Sequence, residues 1–188
     1  MQNDWQKAIN ILKKGGVAVI PTDTIYGIVG SALSKNAVDK VYEIKGRDNT
    51  KSCIILINSD KDLIKFGFSL PQFEFWPGKV SVVVSCVGAL YQKLKYLHHG
   101  AGTVAFRMVG PRNKNLFNLI NKVGPIIAPS ANPQGLAPAL NITEAKKYFC
   151  DKVDVYVNGR TKVSKPSTLV EWKDGKIKVL RQGAVAIK

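Results

Sequence analysis

The sequence predicts a mixed α/β fold of the α+β kind, in which helices flank a β-sheet, and two observations support this prediction. Short apolar segments alternate with amphipathic segments along most of the chain, which is the pattern of a layered α/β domain. The chain then ends in a predicted β-hairpin, Thr168 to Trp172 and Ile177 to Arg181, around the turn Asp174-Gly175. A hairpin requires antiparallel strands, so the sheet is predicted to be mixed.

The individual elements are predicted from apolar spacing and from residues that begin or end helices. We expect helices over 4–14, 35–45, from about 59, 89–97, 113–122 and 143–149. Before the final hairpin we expect strands over 17–21, 53–57, 80–86, 103–108, 126–128 and 153–157. Ser34 and Gly46 are suited to cap the second helix, and the segments 22–31 and 158–166 are expected to be loops. With 188 residues, 45% of them hydrophobic, residues 1–188 are expected to form a single domain.

The net charge is the most unusual property of the composition. There are 28 Lys and Arg against 13 Asp and Glu, which gives +15, and no acidic residue lies between Glu74 and Glu144. Such an excess indicates a polyanionic partner, for example nucleic acid, a nucleotide or an anionic membrane. Only five of the basic residues are arginine: Arg47, Arg107, Arg112, Arg160 and Arg181. Each arginine either marks a place that needs a planar, bidentate donor or reflects a lysine-rich composition.

Several classes of protein are disfavoured by the composition. No apolar run approaches the ~18–20 residues of a membrane span, and the N-terminus lacks the features of a signal peptide. The cysteines at 53, 86 and 150 are isolated and flanked by apolar residues, as buried thiols of a cytosolic protein are. His98 and His99 are the only histidines. We therefore expect a cytoplasmic protein with no protein-held metal and no Ser-His-Asp triad.

The sequence contains neither a GxxxxGK[ST] nor a GxGxxG motif, so phosphate must be bound in another way if it is bound at all. Lys45 ends the second predicted helix, and Arg47 and Lys51 follow it. The positive charges of these three side chains are suited to bind a triphosphate together. The alternative is a solvated helix end, where the helix dipole favours lysine. From these residues alone both interpretations stay open.

Two further segments carry polar side chains where core packing does not require them. Arg107 lies within the apolar strand Val104 to Met108, and a buried arginine needs an anionic partner. That partner is either a ligand or an internal carboxylate, unless Arg107 lies at a sheet edge. Ser130 and Asn132, between Pro129 and Pro133, offer a hydroxyl and an amide to a small polar ligand, or else serve ordinary turn chemistry.

Taken together, six short motifs resemble the YrdC-like family of threonylcarbamoyl-AMP synthases. The similarity runs from about Gly15 to Gly183, with the motifs in the family's order and spacing. The motifs are Pro21-Thr22-Asp23-Thr24-Ile25-Tyr26-Gly27, Lys45-Gly46-Arg47, Trp76-Pro77-Gly78, Thr103-Val104-Ala105-Phe106-Arg107, Pro129-Ser130-Ala131-Asn132 and Leu180-Arg181-Gln182-Gly183.

This resemblance implies a YrdC-like twisted, mixed β-sheet flanked by helices, with a concave basic cleft. It implies an L-threonylcarbamoyladenylate synthase, a nucleotidyltransferase that makes threonylcarbamoyl-AMP and pyrophosphate from L-threonine, bicarbonate or CO2, and ATP. Mg²⁺ is expected to be held mainly by the ATP phosphates. The product serves threonylcarbamoyladenosine modification of tRNA through a partner threonylcarbamoyltransferase complex, and direct contact with tRNA is plausible.

The resemblance also implies roles for individual residues. Lys45 and Arg47 are expected to be catalytic. The expected threonine-binding residues are Thr24, Arg107, Ala128 and Ser167, and the expected ATP-binding residues are Arg47, Lys51, Thr103, Ser130 and Arg181. Thr22 and Asn132 are expected close by. Asp23 stands where the family usually has Glu, and Pro138 stands where it often has Ser.

Two other functions fit parts of the sequence. The +15 charge is also typical of a non-catalytic protein that binds tRNA or double-stranded RNA. Carbamoyltransferases of the hydrogenase-maturation type contain a similar domain, but they need additional acylphosphatase and zinc-finger modules.

Overall fold

A computed structural model of the protein describes residues 2–47 and 53–187. The helices are α1 (Gln2–Lys13), α2 (Lys35–Lys45), α3 (Asp60–Phe66), α4 (Ala89–Lys93), α5 (Lys95–His98), α6 (Lys114–Val123) and α7 (Ile142–Phe149), which a 3₁₀ turn (Cys150–Lys152) follows. The strands are β1 (Ala18–Pro21), β2 (Tyr26–Ser31), β3 (Ile54–Ile57), β4 (Val80–Ser85), β5 (Thr103–Met108), β6 (Ile126–Ile127), β7 (Val155–Tyr156), β8 (Thr168–Lys173) and β9 (Lys176–Arg181).

The strands form one twisted, nine-stranded sheet in the order β7-β1-β2-β6-β3-β5-β4-β8-β9. The pairs β1/β7, β3/β5 and β4/β8 are parallel, and the other neighbouring pairs are antiparallel. The prediction of a mixed sheet is therefore confirmed, as is the final hairpin of β8 and β9.

The prediction that the whole segment 22–31 is a loop is wrong, because its second half is strand β2. Tyr26 pairs with Pro21, and the antiparallel register continues along β1. Gly27 and Gly30, whose residue type is common in loops, lie inside this strand. A Cβ atom at Gly30 would lie 3.1 Å from the carbonyl oxygen of Ala37, so the strand needs glycine there to let α2 approach. The predicted helix over 89–97 is also interrupted, at Leu94, into α4 and α5.

Helix α2 begins and ends where the sequence predicts. The Ser34 side chain accepts a hydrogen bond from the backbone N–H of Ala37, and Gly46 ends the helix in the left-handed conformation, with φ 56°. These caps fix where the helix ends, and so they fix the backbone positions of Lys45, its last residue, and of Arg47 just beyond it.

The two faces of the sheet are covered differently. One face packs against α2, α3, α5 and α7 in the larger core cluster, which includes Val41, Phe66 and Phe106. The other face packs against α1 and α6 in a second cluster, but the sheet residues of this cluster come from β1, β2 and β6 and from Leu56 of β3. The half of this face formed by β5, β4 and β8 is thereby left to line a cavity.

Side-chain alternation along β5 explains why an arginine interrupts an apolar strand. Val104 and Phe106 point into the larger core, so Ala105 and Arg107 point to the opposite face. Ala105 pairs with Ile54 on one side and with Val83 on the other. In the described part of the chain, no helix is long and apolar enough to span a membrane.

Candidate functional site

A cavity of about 470 Å³ lies on the open half of the sheet, which is a typical volume for a small-molecule site. Its apolar wall comes from the strands and includes Ile54, Val83, Ala105 and Leu169. Gly27 lies beside it, where a Cβ atom would approach Thr22 Cγ2 to 3.1 Å and the Pro129 carbonyl oxygen to 3.3 Å. The small residues Ala105 and Gly27 leave room for a ligand.

Most of the site residues expected from the sequence line this one cavity. They are Thr22, Thr24, Arg47, Thr103, Arg107, Ala128, Ser130, Ser167 and Arg181. Lys45 and Asn132 are not among the lining residues, and Lys51 lies outside the described residues. The cavity wall also includes Ile25, Tyr26, Pro138 and Leu180, to which the sequence assigned no role.

Arg107 lies at the base of the cavity, almost fully buried at 3% exposure. Its Nη2 atom is 2.8 Å from Oδ1 of Asp23, whose side chain is also buried. The internal carboxylate that sequence reasoning allowed as a partner is therefore present. Burial lowers the pKa of Arg107, and the negative charge of Asp23 opposes that shift. The guanidinium stays charged, because an arginine does not lose its proton in proteins.

The pairing of Asp23 with Arg107 does not use all the donors of the guanidinium. Arg107 Nε is buried without a hydrogen-bond partner among the described residues, and the 2.8 Å contact of Nη2 with Asp23 Oδ1 is an ion pair without the alignment of a hydrogen bond. A bidentate carboxylate pair would engage two guanidinium nitrogens. Arg107 also lines the cavity, so it places a positive charge beside any ligand there.

The turn between β1 and β2 positions Asp23 and the two threonines. Thr22 Oγ1 donates to the Ile25 carbonyl oxygen at 2.6 Å and accepts from the Thr24 backbone N–H at 3.2 Å. The hydroxyl oxygens of Thr22 and Thr24 lie 3.3 Å apart. Both threonines are buried, and both line the same cavity as Arg107, so the turn holds their hydroxyl groups in fixed positions at its wall.

Lys45 does not line the cavity, but it contacts a segment that forms part of the cavity wall. Its ammonium donates to the carbonyl oxygens of Ser130 and Asn132 and lies 3.4 Å from Asn132 Oδ1. Burial lowers the pKa of Lys45 to about 8, and the nearby charge of Arg47 adds to the effect. At neutral pH Lys45 is thus an ammonium ion that fastens the 130–132 segment to the end of α2.

The 128–131 segment is also tied to the sheet through its backbone. The Ala128 N–H donates to the Ile54 carbonyl oxygen at 2.8 Å, and the Ala131 N–H donates to the Tyr26 carbonyl oxygen at 2.9 Å. These bonds hold Ala128 and Ser130 at the cavity wall beside Gly27, with which Ser130 forms an isolated β-bridge.

Another part of the cavity wall is formed by residues of β4, β8 and β9. Arg181 Nη2 donates to the Ser167 carbonyl oxygen at 2.9 Å, and the Ser167 hydroxyl shares a 2.9 Å hydrogen bond with that of Ser81. Arg47 follows the C-terminal end of α2. Its guanidinium carbon lies 5.7 Å from the centre of the Tyr42 ring, which is a cation–π distance.

The electrostatic character of the cavity follows from its lining. Arg47, Arg107 and Arg181 all contribute, and no carboxylate is found among the described residues that line it. The described residues also contain no group of three or more His, Cys, Asp or Glu side chains suited to hold a metal ion. The arrangement suits a ligand that carries several negative charges and an apolar part.

Comparisons with known proteins identify the family of the chain. The Sua5/YciO/YrdC family model, described as telomere recombination, matches residues 10–183, and the chain belongs to this family. The threonylcarbamoyl-AMP synthase of Hahella chejuensis is 31% identical over 185 residues, covering 94% of this chain and 97% of that protein. The family resemblance predicted from the six motifs is thereby confirmed.

Solved structures extend the comparison. The crystal structure of Pyrococcus abyssi Sua5 complexed with L-threonine superposes with a TM-score of 0.83 at 28% identity. The match covers 95% of this chain and 54% of that one, so this chain spans about half of its length. E. coli YciO superposes with a TM-score of 0.82 at 22% identity, over 100% of this chain and 93% of that one, and supports the fold.

The geometry of Lys45 predicts a structural effect of its replacement. In Lys45→Met, the backbone oxygens of Ser130 and Asn132 lose a charged donor, and we expect unfolding free energy to fall by about 2–3 kcal/mol. Urea unfolding measures this loss, and amide exchange at Ala131 reports whether the segment opens locally.

The matched control is Lys35→Met on the same helix, which removes an exposed ion pair with Asp39 and should cost less than about 1 kcal/mol. Equal losses in the two variants would contradict the role given to Lys45.

Proposed function

We propose that the protein is an L-threonylcarbamoyladenylate synthase, which forms threonylcarbamoyl-AMP and pyrophosphate from L-threonine, bicarbonate or CO2, and ATP. The observation that carries this proposal is the convergence of Arg47, Arg107 and Arg181 with buried threonine and serine side chains on one cavity. The names of its relatives, one of which was crystallised with L-threonine, support the same reaction.

The threonine end of the site is proposed to lie over Arg107. Its guanidinium has donors left after pairing with Asp23, and the carboxylate of an amino acid is a matching anion. Thr24, Ser167 and the backbone at Ala128 are proposed to contact the rest of the substrate. Thr22 acts mainly by shaping the turn that presents Thr24.

The ATP end of the site is proposed to lie between Arg47 and Arg181. Ser130 and Thr103 are proposed to contact the nucleotide, and Lys51 is proposed to bind its phosphates. The Lys45 ammonium is directed at backbone oxygens, and Asn132 binds the Pro133 and Leu136 carbonyl oxygens through its amide. We therefore assign both to holding the wall in place, and not to contact with phosphate. Mg²⁺ is proposed to arrive with ATP, since the described cavity lining offers no carboxylate.

The proposed chemistry has two steps. The threonine amine either takes up CO2 and releases a proton, or reacts with bicarbonate and releases water, to give N-carboxythreonine. A carboxylate oxygen of that group then attacks the α-phosphorus of ATP, and the bond to pyrophosphate breaks. Three arginines around the reacting anions lower the barrier by positioning them and by neutralising charge, so no covalent enzyme intermediate is needed.

We further propose that residues 1–188 act as one domain in the cytoplasm and supply threonylcarbamoyl-AMP to a tRNA threonylcarbamoyltransferase complex. The net charge of +15 favours contact with tRNA. The same charge is the basis for the rival proposal of a non-catalytic RNA-binding protein, which the reaction itself distinguishes.

The reaction is tested with purified protein, ATP, Mg²⁺, bicarbonate and L-threonine. We expect release of pyrophosphate and a product with the mass of threonylcarbamoyl-AMP, both abolished when threonine is omitted. Salt-sensitive RNA binding in protein that gives no threonine-dependent pyrophosphate would instead support the rival proposal.

Arg107 provides the sharpest test of how the substrate is held. Because Arg107→Ala alone would leave Asp23 buried without its partner, the double variant Asp23→Asn/Arg107→Gln is used. We expect its KM for threonine to rise by about 10–100-fold, as expected for one charge-assisted hydrogen bond, with little change in KM for ATP.

Arg47→Ala is the matched control on the other side of the cavity, and it should impair the use of ATP more than the use of threonine. Thermal unfolding of both variants checks that the fold is intact. A folded double variant with an unchanged KM for threonine would refute the assignment of Arg107.

A further inference from the structure

A second cavity, of about 390 Å³, lies beside the first. Thr22 lines both cavities, so the turn after β1 borders both of them. Four cationic residues line the second cavity, together with asparagine side chains and one tryptophan. The cations are Arg112, Lys114, Arg160 and Lys162.

Four separate parts of the chain build this cavity, one of which is the end of β1 with Pro21 and Thr22. Trp5 comes from α1, the residues Arg112 to Leu116 come from the start of α6, and the residues Asn158 to Lys162 come from the loop after β7. The Asn113 side chain does not cap α6, and the residues of the first helical turn line the cavity. Their backbone N–H groups and the positive end of the helix dipole favour an anion at this position.

The loop that carries Arg160 is hydrogen-bonded to Tyr26, which lines the first cavity. The Tyr26 hydroxyl accepts from the Gly159 N–H at 2.8 Å and donates to the Arg160 carbonyl oxygen at 3.0 Å. A Cβ atom at Gly159 would lie 2.2 Å from Pro21 Cγ, so the backbone of this loop packs directly on β1. The Arg160 backbone therefore has a defined position beside the cavity.

The charges in the second cavity are uncompensated within the described residues. No carboxylate lines it, and none of its four cations takes part in an ion pair there. The distribution of arginine is also informative. Arg47, Arg107 and Arg181 line the first cavity and Arg112 and Arg160 line the second, so all five arginines of the chain face one of the two.

We propose that the second cavity is a binding site for phosphate groups, separate from the reaction cavity. Two arginines supply planar, bidentate donors for phosphate oxygens, the lysines add charge, and the first turn of α6 supplies backbone N–H groups. Free pyrophosphate and the backbone of an RNA strand share this chemistry. The site does not depend on the proposed reaction, because it is defined by its own residues.

The test follows the indole N–H signal of Trp5 by NMR, assigned with Trp5→Phe. Inorganic pyrophosphate and a short RNA hairpin are titrated separately into the full-length protein, and a saturable shift is expected with at least one of them. In Arg112→Gln/Arg160→Gln the Kd of that ligand should rise at least about tenfold, the cost of lost charge-assisted hydrogen bonds. The control is Lys173→Gln/Lys176→Gln, which removes the same charge from the exposed turn of β8 and β9.

The outcomes are distinct. Weaker binding in the arginine variant alone supports the site, and the ligand that shifts Trp5 identifies the source of the phosphate. Equal weakening in both variants means that only net charge matters, and it overturns the proposal. The absence of any Trp5 shift with either ligand overturns it as well. None of these readouts involves turnover, so the site and the proposed function can fail independently.

Discussion

The ion pair between Asp23 and Arg107 positions the turn that borders both cavities. A guanidinium in the middle of the sheet is stable only with a negative partner close by, and that partner comes from the turn between β1 and β2. The turn therefore has to fold down toward β5, which brings the Thr22 and Thr24 hydroxyls to the first cavity and leaves Thr22 as the boundary with the second. Lys45 performs the corresponding task on the other wall by fastening the 130–132 segment to α2.

The cavity also depends on incomplete coverage of the sheet. Helices α1 and α6 pack on β1, β2 and β6 and on Leu56 of β3, and the neighbouring strands on that face carry small or polar residues such as Ala105 and Ser81. A single sheet can thus bury a large core on one face and present charged groups on the other. The arginines are concentrated where the two cavities lie, whereas lysines are found over much of the remaining surface.

Much of this structure was predictable from the sequence, and the exceptions have physical causes. The alternation of apolar and amphipathic segments predicted the layered α/β fold, the final hairpin predicted that the sheet is mixed, and Ser34 and Gly46 predicted the limits of α2. The position of Arg107 in an apolar strand predicted an anionic partner, but its identity as Asp23 depends on the order of the strands, which no local pattern encodes. Strand β2 was missed because Gly30 serves the close approach of α2, and the role of Lys45 depends on a contact with residues far along the chain. The second cavity joins four separate segments, so it had no sequence signal.

The most direct test of the account is a crystal structure of the protein with L-threonine and a non-hydrolysable ATP analogue. We expect the threonine carboxylate within about 3 Å of the Arg107 guanidinium, a hydrogen-bond distance, while Asp23 keeps its ion pair. The triphosphate should lie between Arg47 and Arg181. Threonine bound away from Arg107, or a triphosphate outside the first cavity, would contradict the account.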